Sequence, residues 1–128
     1  MITIYFDGGS RGNPGNSGCG ATLENDDFII NLYLNTGKNT NNHAEYMGLI
    51  IALRELKNYP KEFLDIYGDS QLIIKQLKGE YECKAKNLKP FYEEAISILK
   101  NYKYKLTHVL RNNNKEADEL ANIAMDNS

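Results

Sequence analysis

Hydrophobic and polar residues alternate at the beginning of the chain. Ile2, Ile4 and Phe6 occupy every second position, and Asp7 falls on the opposite side of the same segment. A period of two is typical of a β-strand with one buried face, so this pattern predicts a first strand that ends near Asp7. The glycine-rich residues 8–18 that follow are predicted to form a turn.

Four further segments have the composition of strands. Residues 19–23 and 28–34 flank Asn25-Asp26 and are predicted to be the second and third strands, which pair antiparallel in series with the first. Residues 63–67 and 104–110 are predicted to be the fourth and fifth strands. The chain is therefore expected to contain a five-stranded sheet.

Helical periodicity is found between and after these strands. Helices are predicted at residues 42–56, 70–77, 88–99 and 114–125. The first is apolar around most of its circumference, which is typical of a buried helix. The order β-β-β-α-β-α-α-β-α predicts an α/β fold, a mixed sheet with helices on both faces, in a single domain of residues 1–128.

Charge limits how this chain can interact with other molecules. The formal net charge is −2, whereas a domain that holds nucleic acid by bulk electrostatics usually has a clear basic excess. Any contact with nucleic acid is therefore expected to be local. The lysines between residues 75 and 105 either form one basic face or belong to an ordinary solvated surface, and the sequence leaves both interpretations open.

The sequence also carries an expectation about location. No stretch approaches the roughly 20 apolar residues that cross a bilayer, and the N-terminal residues lack the pattern of a signal peptide. A cytoplasmic protein without a membrane partner is expected, with a monomer as the default. Cys19 and Cys83 have neither the density of a disulfide scaffold nor a metal-binding spacing, so both are predicted to be free thiols.

Four acidic residues occupy positions that surface charges seldom share. Asp7 ends the first predicted strand, Glu45 lies in the first turn of the buried helix, and Asp69 directly follows the fourth strand. Asp118 flanks the apolar stripe of the last helix. If the first and fourth strands are neighbours, the first three carboxylates approach one another at the edge of the sheet, where such a cluster needs a cation.

Each of these acids also has a purely structural interpretation. Asp7 would be a turn residue, and Glu45 the partner of Asn42 in a capping box. Asp69 would cap a helix, and Asp118 would simply be solvated. These alternatives remain open for each residue taken singly, but they do not explain the motifs in which the four acids lie.

Those motifs carry a family resemblance. In chain order they are Asp7-Gly8-Gly9-Ser10, Gly12-Asn13-Pro14-Gly15, Asn41-Asn42-His43-Ala44-Glu45-Tyr46, Gly68-Asp69-Ser70 and Asn114-Lys115-Glu116-Ala117-Asp118-Glu119-Leu120-Ala121-Asn122. Together they closely resemble the type 1 ribonuclease H family along nearly the whole chain. The resemblance implies the ribonuclease H-like fold, whose five-stranded mixed sheet with strands one to three antiparallel agrees with the predicted elements.

The resemblance also implies an activity. The family cuts the RNA strand of RNA–DNA hybrids endonucleolytically and leaves 5′-phosphate and 3′-hydroxyl ends. By resemblance, Asp7, Glu45, Asp69 and Asp118 bind two divalent ions, Mg²⁺ with Mn²⁺ as a substitute, which are hard cations that oxygen ligands suit. Two such ions can stabilise the charge that develops on the attacking and leaving oxygens of a phosphodiester.

Substrate contacts are assigned by the same resemblance. The residues expected to contact the hybrid are Asn13, Asn41, Asn42 and Gln71, with Gly12 allowing close backbone approach and Thr40 contacting a DNA phosphate. Short polar groups suit the 2′-hydroxyls that only the RNA strand presents in the minor groove. For Asn13 a turn-forming role before Pro14 is an open alternative, as is helix capping for Asn42.

The chain departs from many bacterial members of the family in two places. It has no tryptophan, and only residues 79–89 stand where those members carry a basic, tryptophan-containing segment, the handle. Without it, weaker hybrid binding is expected. His108 lies ten residues before Asp118, as a mobile catalytic histidine does in such members. Alignment on the last helix instead places His108 in the fifth strand. Arg111 in the shortened loop resembles a catalytic arginine of the handle-less branch, which orients the scissile phosphate or assists product release, and an ordinary surface arginine is the open alternative.

Two other classes of function compete with this one. A non-catalytic module that binds hybrids or double-stranded RNA would gain nothing from clustering negative charge toward phosphates. A different nuclease of the same superfamily would retain the acids, but the asparagine-rich helix start and the small size favour ribonuclease H.

Overall fold

A computed structural model describes residues 1–127 of the chain. The strands are β1 (Ile2–Arg11), β2 (Gly15–Glu24), β3 (Ile29–Asn39), β4 (Leu64–Gly68) and β5 (Tyr104–His108). The helices are α1 (Asn41–Glu55), α2 (Gln71–Leu77), α3 (Lys89–Leu99) and α4 (Lys115–Asp126), with short 3₁₀ turns at Leu56–Asn58 and Arg111–Asn113.

The strands form one mixed sheet in the order β3-β2-β1-β4-β5. β1, β2 and β3 pair antiparallel, whereas β4 is parallel to both β1 and β5. The predicted fold, including the antiparallel first three strands and the pairing of the first strand with the fourth, is confirmed.

The main core lies between one face of the sheet and α1. Ile2, Ile4 and Phe6 of β1 are at most 1% exposed and pack with the apolar side chains of α1 and β4. Removing each such side chain from water contributes about 1.5–3 kcal/mol. Helix α3 closes the outer side of α1, which explains why α1 is apolar almost all round.

Helix α4 covers the opposite face of the sheet. Its small residues Ala117 and Ala121 are buried. A Cβ at Gly18 of β2 would lie 2.8 Å from the backbone oxygen of Ala121, and one at Gly20 would lie 2.7 Å from that of Ala117. Since neither position has room for a side chain, these glycines determine how closely α4 approaches the sheet, and hence where Asp118 lies.

The glycine-rich residues 8–18 differ from their prediction. Strands β1 and β2 extend through most of this segment, and only its tip around Gly12, with φ of +97°, is a turn. The prediction of a long turn was wrong because other glycines serve packing instead. A Cβ at Gly8, for example, would lie 2.2 Å from the backbone carbonyl carbon of Ala44 on α1.

Helices α1 and α2 begin with hydroxyl caps. The side chain of Thr40 accepts a hydrogen bond from the backbone N–H three residues further on, and that of Ser70 does the same for α2. The structural alternatives in which Asn42 and Glu45 form a capping box, or Asp69 caps its helix, are therefore wrong. Helix capping does not account for either carboxylate.

Residues 78–88 connect α2 directly to α3 without a further helix. Lys78, Lys84 and Lys86 are exposed along this connection. Cys19 and Cys83 are both buried free thiols. Among residues 1–127, none of the helices has the length and apolar character needed to cross a bilayer.

Candidate active site

Three carboxylates meet where β1, β4 and α1 converge. Asp7 lies within β1, Glu45 is the fifth residue of α1, and Asp69 directly follows β4. One ligand oxygen from each lies within 4.8 Å of the others. The predicted proximity of these three side chains is confirmed, and the alternative of Asp7 as a turn residue is wrong, since Asp7 is 5% exposed within a strand.

Two glycines allow α1 to approach β1 at this point. A Cβ at Gly48 would lie 2.5 Å from the backbone oxygen of Asp7, and one at Gly8 would lie 2.4 Å from the backbone nitrogen of Glu45. Both distances are shorter than a real Cβ contact, so a side chain at either position would displace the helix. The two glycines thereby bring Glu45 beside Asp7.

Burial and mutual repulsion disfavour the ionised forms of these acids. Burial, followed by the nearby charge of Asp69, raises the pKa of Asp7 to about 8. Burial and the charges of Asp7 and Asp69 raise the pKa of Glu45 well above its ordinary value. Without a bound cation, the cluster therefore retains protons that exposed carboxylates release at neutral pH.

The same arrangement fits a divalent cation. Oε2 of Glu45 is buried and has no hydrogen-bond partner among the described residues. A cation would ligate such an atom and would also offset the repulsion among the carboxylates. A ligand set made only of carboxylate oxygens suits hard ions such as Mg²⁺ and Mn²⁺.

Asp118 approaches the cluster from the opposite face of the sheet. It lies in the first turn of α4, outside the group of oxygens within 4.8 Å of one another, and its carboxylate accepts a hydrogen bond of 3.5 Å from Arg111. Both residues line the same cleft, of about 530 Å³, as the other three acids. The cleft thus joins a buried acidic floor to two arginines at its edge, Arg111 beside Asp118 and Arg11, which pairs with Asp126.

The residues assigned to the substrate fall into two groups. Asn41 and Asn42 line the cleft at the start of α1, and the side-chain oxygen of Asn13 accepts a hydrogen bond of 3.0 Å from the backbone N–H of Asn41. Gly12 and Gln71 are exposed but do not line the cleft, and the hydroxyl of Thr40 is engaged in capping α1. The contacts of both groups with substrate stay predictions.

His108 and Arg111 differ in their relation to the cleft. His108 is the last residue of β5, as alignment on the last helix predicted, but its side chain is exposed. Its Nε2 lies 3.2 Å from the backbone oxygen of Asp69. Arg111 lines the cleft and His108 does not.

Three residues around the acids carried no predicted role. Ser70 and Asn122 line the cleft, and Asn114 donates a hydrogen bond to the carboxylate of Asp69. All three belong to the motifs that carry the family resemblance, which is the signal that could have found them. Sequence order alone does not show that Asn114 contacts an acid 45 residues away.

The raised pKa values predict how stability depends on pH. Folded Asp7 keeps its proton up to about pH 8, whereas an unfolded aspartate loses it near about pH 4. The folded state therefore binds more protons between these limits, so the free energy of unfolding of the cation-free protein should fall as the pH rises through this range. Thermal melts in chelator at a series of pH values measure this fall, and added Mg²⁺ should reverse it mainly at the alkaline end.

The Asp7→Asn variant is the control for this prediction. It removes one of the two carboxyl groups with a raised pKa and part of the charge that raises the other, so its melting temperature should vary less with pH than that of the wild type. The comparison also separates the contribution of Asp7 from that of His43, which both proteins retain. Burial lowers the pKa of His43, so His43 makes the free energy of unfolding rise, not fall, with increasing pH. Parallel pH profiles for the two proteins would contradict the prediction.

Comparisons with known proteins agree with this architecture. A family model described as reverse transcriptase-like matches residues 5–124. Ribonuclease HI of Halobacterium salinarum is 38% identical over 99% of this chain. The chain spans 65% of the length of that relative, and 35% of the length of matching proteins from Mycobacterium bovis and Mycobacterium tuberculosis.

Solved structures give the same result. The crystal structure of ribonuclease H1 from Halobacterium salinarum has a TM-score of 0.91 and 38% identity, covering 99% of this chain and 98% of that one. LC11 ribonuclease H1, solved in complex with an RNA/DNA hybrid, has a TM-score of 0.91 and 33% identity over the same shares of the two chains. Matching motifs, fold and relatives lead to one conclusion: the chain belongs to the type 1 ribonuclease H family.

Proposed function

We propose that this protein hydrolyses the RNA strand of RNA–DNA hybrids endonucleolytically, with two divalent cations, and leaves 5′-phosphate and 3′-hydroxyl ends. The observation that carries the proposal is the cluster of Asp7, Glu45 and Asp69, whose oxygens lie within 4.8 Å of one another in a member of the ribonuclease H family. The relative solved with an RNA/DNA hybrid supports the choice of substrate.

The four carboxylates hold the cations, which are Mg²⁺ or, as a substitute, Mn²⁺. When bound, such cations lower the pKa of a water molecule and offset the charge that develops on the scissile phosphate. Asp7 and Glu45 supply the buried part of the ligand set, and Asp69 and Asp118 the more exposed part. Because the acids repel one another, the packing of α1 and α4 on the sheet is what keeps them together.

Recognition of the RNA strand falls to the rim of the cleft. Asn41 and Asn42 are exposed there, and an amide can both donate to and accept from a 2′-hydroxyl. Asn13 orients the backbone of Asn41 through their hydrogen bond. Gln71 and the turn at Gly12 extend this surface beyond the cleft.

Two further contacts are directed at phosphate groups. Thr40 contacts a phosphate of the DNA strand next to the start of α1, where the positive end of the helix dipole also favours an anion. Arg111 at the edge of the cleft contacts the scissile phosphate or the product phosphate. Its side chain is 81% exposed, so its ion pair with Asp118 contributes little to stability and leaves it available to the substrate.

A cleavage assay with matched duplexes tests the proposed activity. End-labelled RNA–DNA hybrid, RNA–RNA, DNA–DNA and single strands are incubated with Mg²⁺ or Mn²⁺ and resolved on a denaturing gel. Only the RNA strand of the hybrid should be cut, and the new 5′ ends should accept a label from polynucleotide kinase only after phosphatase has removed the 5′-phosphate that cleavage leaves. Equal cutting of duplex DNA, binding without cutting, or undiminished cutting in excess chelator would each contradict the proposal.

We also propose that the protein acts as a monomer in the cytoplasm. Size-exclusion chromatography with light scattering should give a mass near 14.5 kDa, that of one chain. A mass of twice this value would contradict the monomer.

A further inference from the structure

Asn114 lies at the junction of the elements that carry the acids. It is 1% exposed, and its side-chain N–H groups donate to the backbone oxygen of Phe6 at 2.9 Å and to Oδ2 of Asp69 at 3.3 Å. Phe6 directly precedes Asp7. The backbone oxygen of Asn114 accepts a hydrogen bond of 3.1 Å from the N–H of Asp118. One residue therefore connects the segments that hold three of the four carboxylates.

The chemistry of these contacts requires a hydrogen-bond donor. A backbone oxygen and a carboxylate are both acceptors, so only the NH₂ group of Asn114 can face them, which fixes the orientation of the amide. An ionised carboxylate at this position would offer no donor, and an apolar side chain would offer neither donor nor acceptor.

Stability alone is a poor explanation for this residue. Oδ1 of Asn114 is buried and has no hydrogen-bond partner among residues 1–127. A buried acceptor without a partner opposes folding. An amide that is kept in spite of this cost points to a role for its two donated hydrogen bonds.

We propose that Asn114 is a positioning residue for the cation site. Asp69 is more exposed than Asp7, so its carboxylate has room to rotate toward solvent. The Asn114 amide opposes that rotation by holding Oδ2 of Asp69 against β1. The inference rests on the proposed function, because it assigns Asn114 to the same cations, but it concerns their binding rather than cleavage.

The test compares two amides that anchor opposite ends of α4, the buried Asn114 and the partly buried Asn35. Asn35 donates to the backbone oxygen of Ala124 at 3.1 Å and to Oδ1 of Asn16 at 3.0 Å, and it does not line the cleft. Asn114→Leu and Asn35→Leu both remove an amide that ties α4 to the sheet. Only the first removes a hydrogen bond to an acid of the cluster.

The readout is the rise in melting temperature with Mn²⁺ or Mg²⁺ concentration in the absence of nucleic acid. The cation concentration that gives the same rise above each protein's own cation-free melting temperature should increase about 10- to 100-fold in Asn114→Leu, as expected for a group that orients a ligand. It should stay within about threefold of wild type in Asn35→Leu. At one fixed Mg²⁺ concentration, kcat of Asn114→Leu should fall by a similar factor with KM little changed.

Coinciding cation titrations for Asn114→Leu and Asn35→Leu would overturn the inference, since both variants would then report only lost packing. If Asn114→Leu does not fold, Asn114→Ser, which is smaller and keeps a polar side chain, is titrated in its place with the same criterion. The titration contains no nucleic acid. A protein that binds cations but cleaves no hybrid would thus refute the proposed function. The cation titration would still decide whether Asn114 positions the cation site.

Discussion

Asp7→Asn is expected to abolish cleavage of the RNA strand while preserving the fold. Asp7 is nearly buried beside Glu45 and Asp69, so an amide in its place removes a cation ligand from the centre of the cluster. Asparagine matches the protonated carboxyl group in size, and the folded state without cations already favours that protonated form. Since metal ions contribute several kcal/mol to catalysis, the rate should fall to well below about a tenth of the wild-type rate.

Single-turnover cleavage at saturating Mg²⁺ measures this loss, with hybrid binding measured separately in Ca²⁺ or chelator. Asp65→Asn is the matched control, because Asp65 is a partly buried acid of β4 that accepts a hydrogen bond from Tyr67 and does not line the cleft. The control should cleave at close to the wild-type rate. An Asp7→Asn protein that keeps more than about a tenth of the activity would remove Asp7 from the site.

Arg111→Ala is expected to lower turnover by about 10- to 1000-fold, the range for loss of one charge-stabilising donor. Arg111 is the cationic side chain that lines the cleft beside the acids and is long enough to reach a bound phosphate; Arg11, the other arginine there, pairs with Asp126. Because the side chain of Arg111 is exposed, the melting temperature of Arg111→Ala should hardly differ from that of the wild type. The effect should therefore be seen in kcat and not in stability.

His108→Ala should give the opposite result. His108 makes one hydrogen bond, to the backbone oxygen of Asp69, and its loss should lower the melting temperature by a few degrees, the shift that about 1 kcal/mol produces. Turnover should stay near wild type. Kinetics of both variants at one Mg²⁺ concentration, with thermal melts alongside, decide between them. A large rate loss in His108→Ala beside a wild-type rate in Arg111→Ala would reverse the assignment.

Much of the architecture could be predicted from local patterns. The period of two at Ile2, Ile4 and Phe6 and the helical stripe that includes Ala117 and Ala121 depend only on which side of an element faces the core, and sequence spacing determines that directly. The element order then restricted the topology to a mixed sheet with helices on both faces. The motifs around the four acids were enough to recognise the family.

Local patterns failed where a residue serves a partner distant in sequence. The sequence pattern places Gly8 and Gly18 in a turn, although they lie in strands and leave room for α1 and α4. Glycine has the same local signature in both situations, and only the position of the packed helix distinguishes them. The capping roles of Thr40 and Ser70 also escape local patterns. The neighbouring Asn42 and Asp69 are residue types that cap helices equally well, so the sequence does not show which residue caps each helix.

The sequence by itself determined the fold class, the family and which acids are candidates for metal binding, because each follows from residue type and spacing along the chain. Tertiary structure decided the spatial arrangement of these acids. It brings oxygens of Asp7, Glu45 and Asp69 within 4.8 Å of one another. It also pairs Asp118 with Arg111 and places the amide of Asn114 against Asp69. These relations depend on how closely two helices pack on opposite faces of one sheet. That distance is set by side-chain volumes summed over many residues, which no local pattern contains.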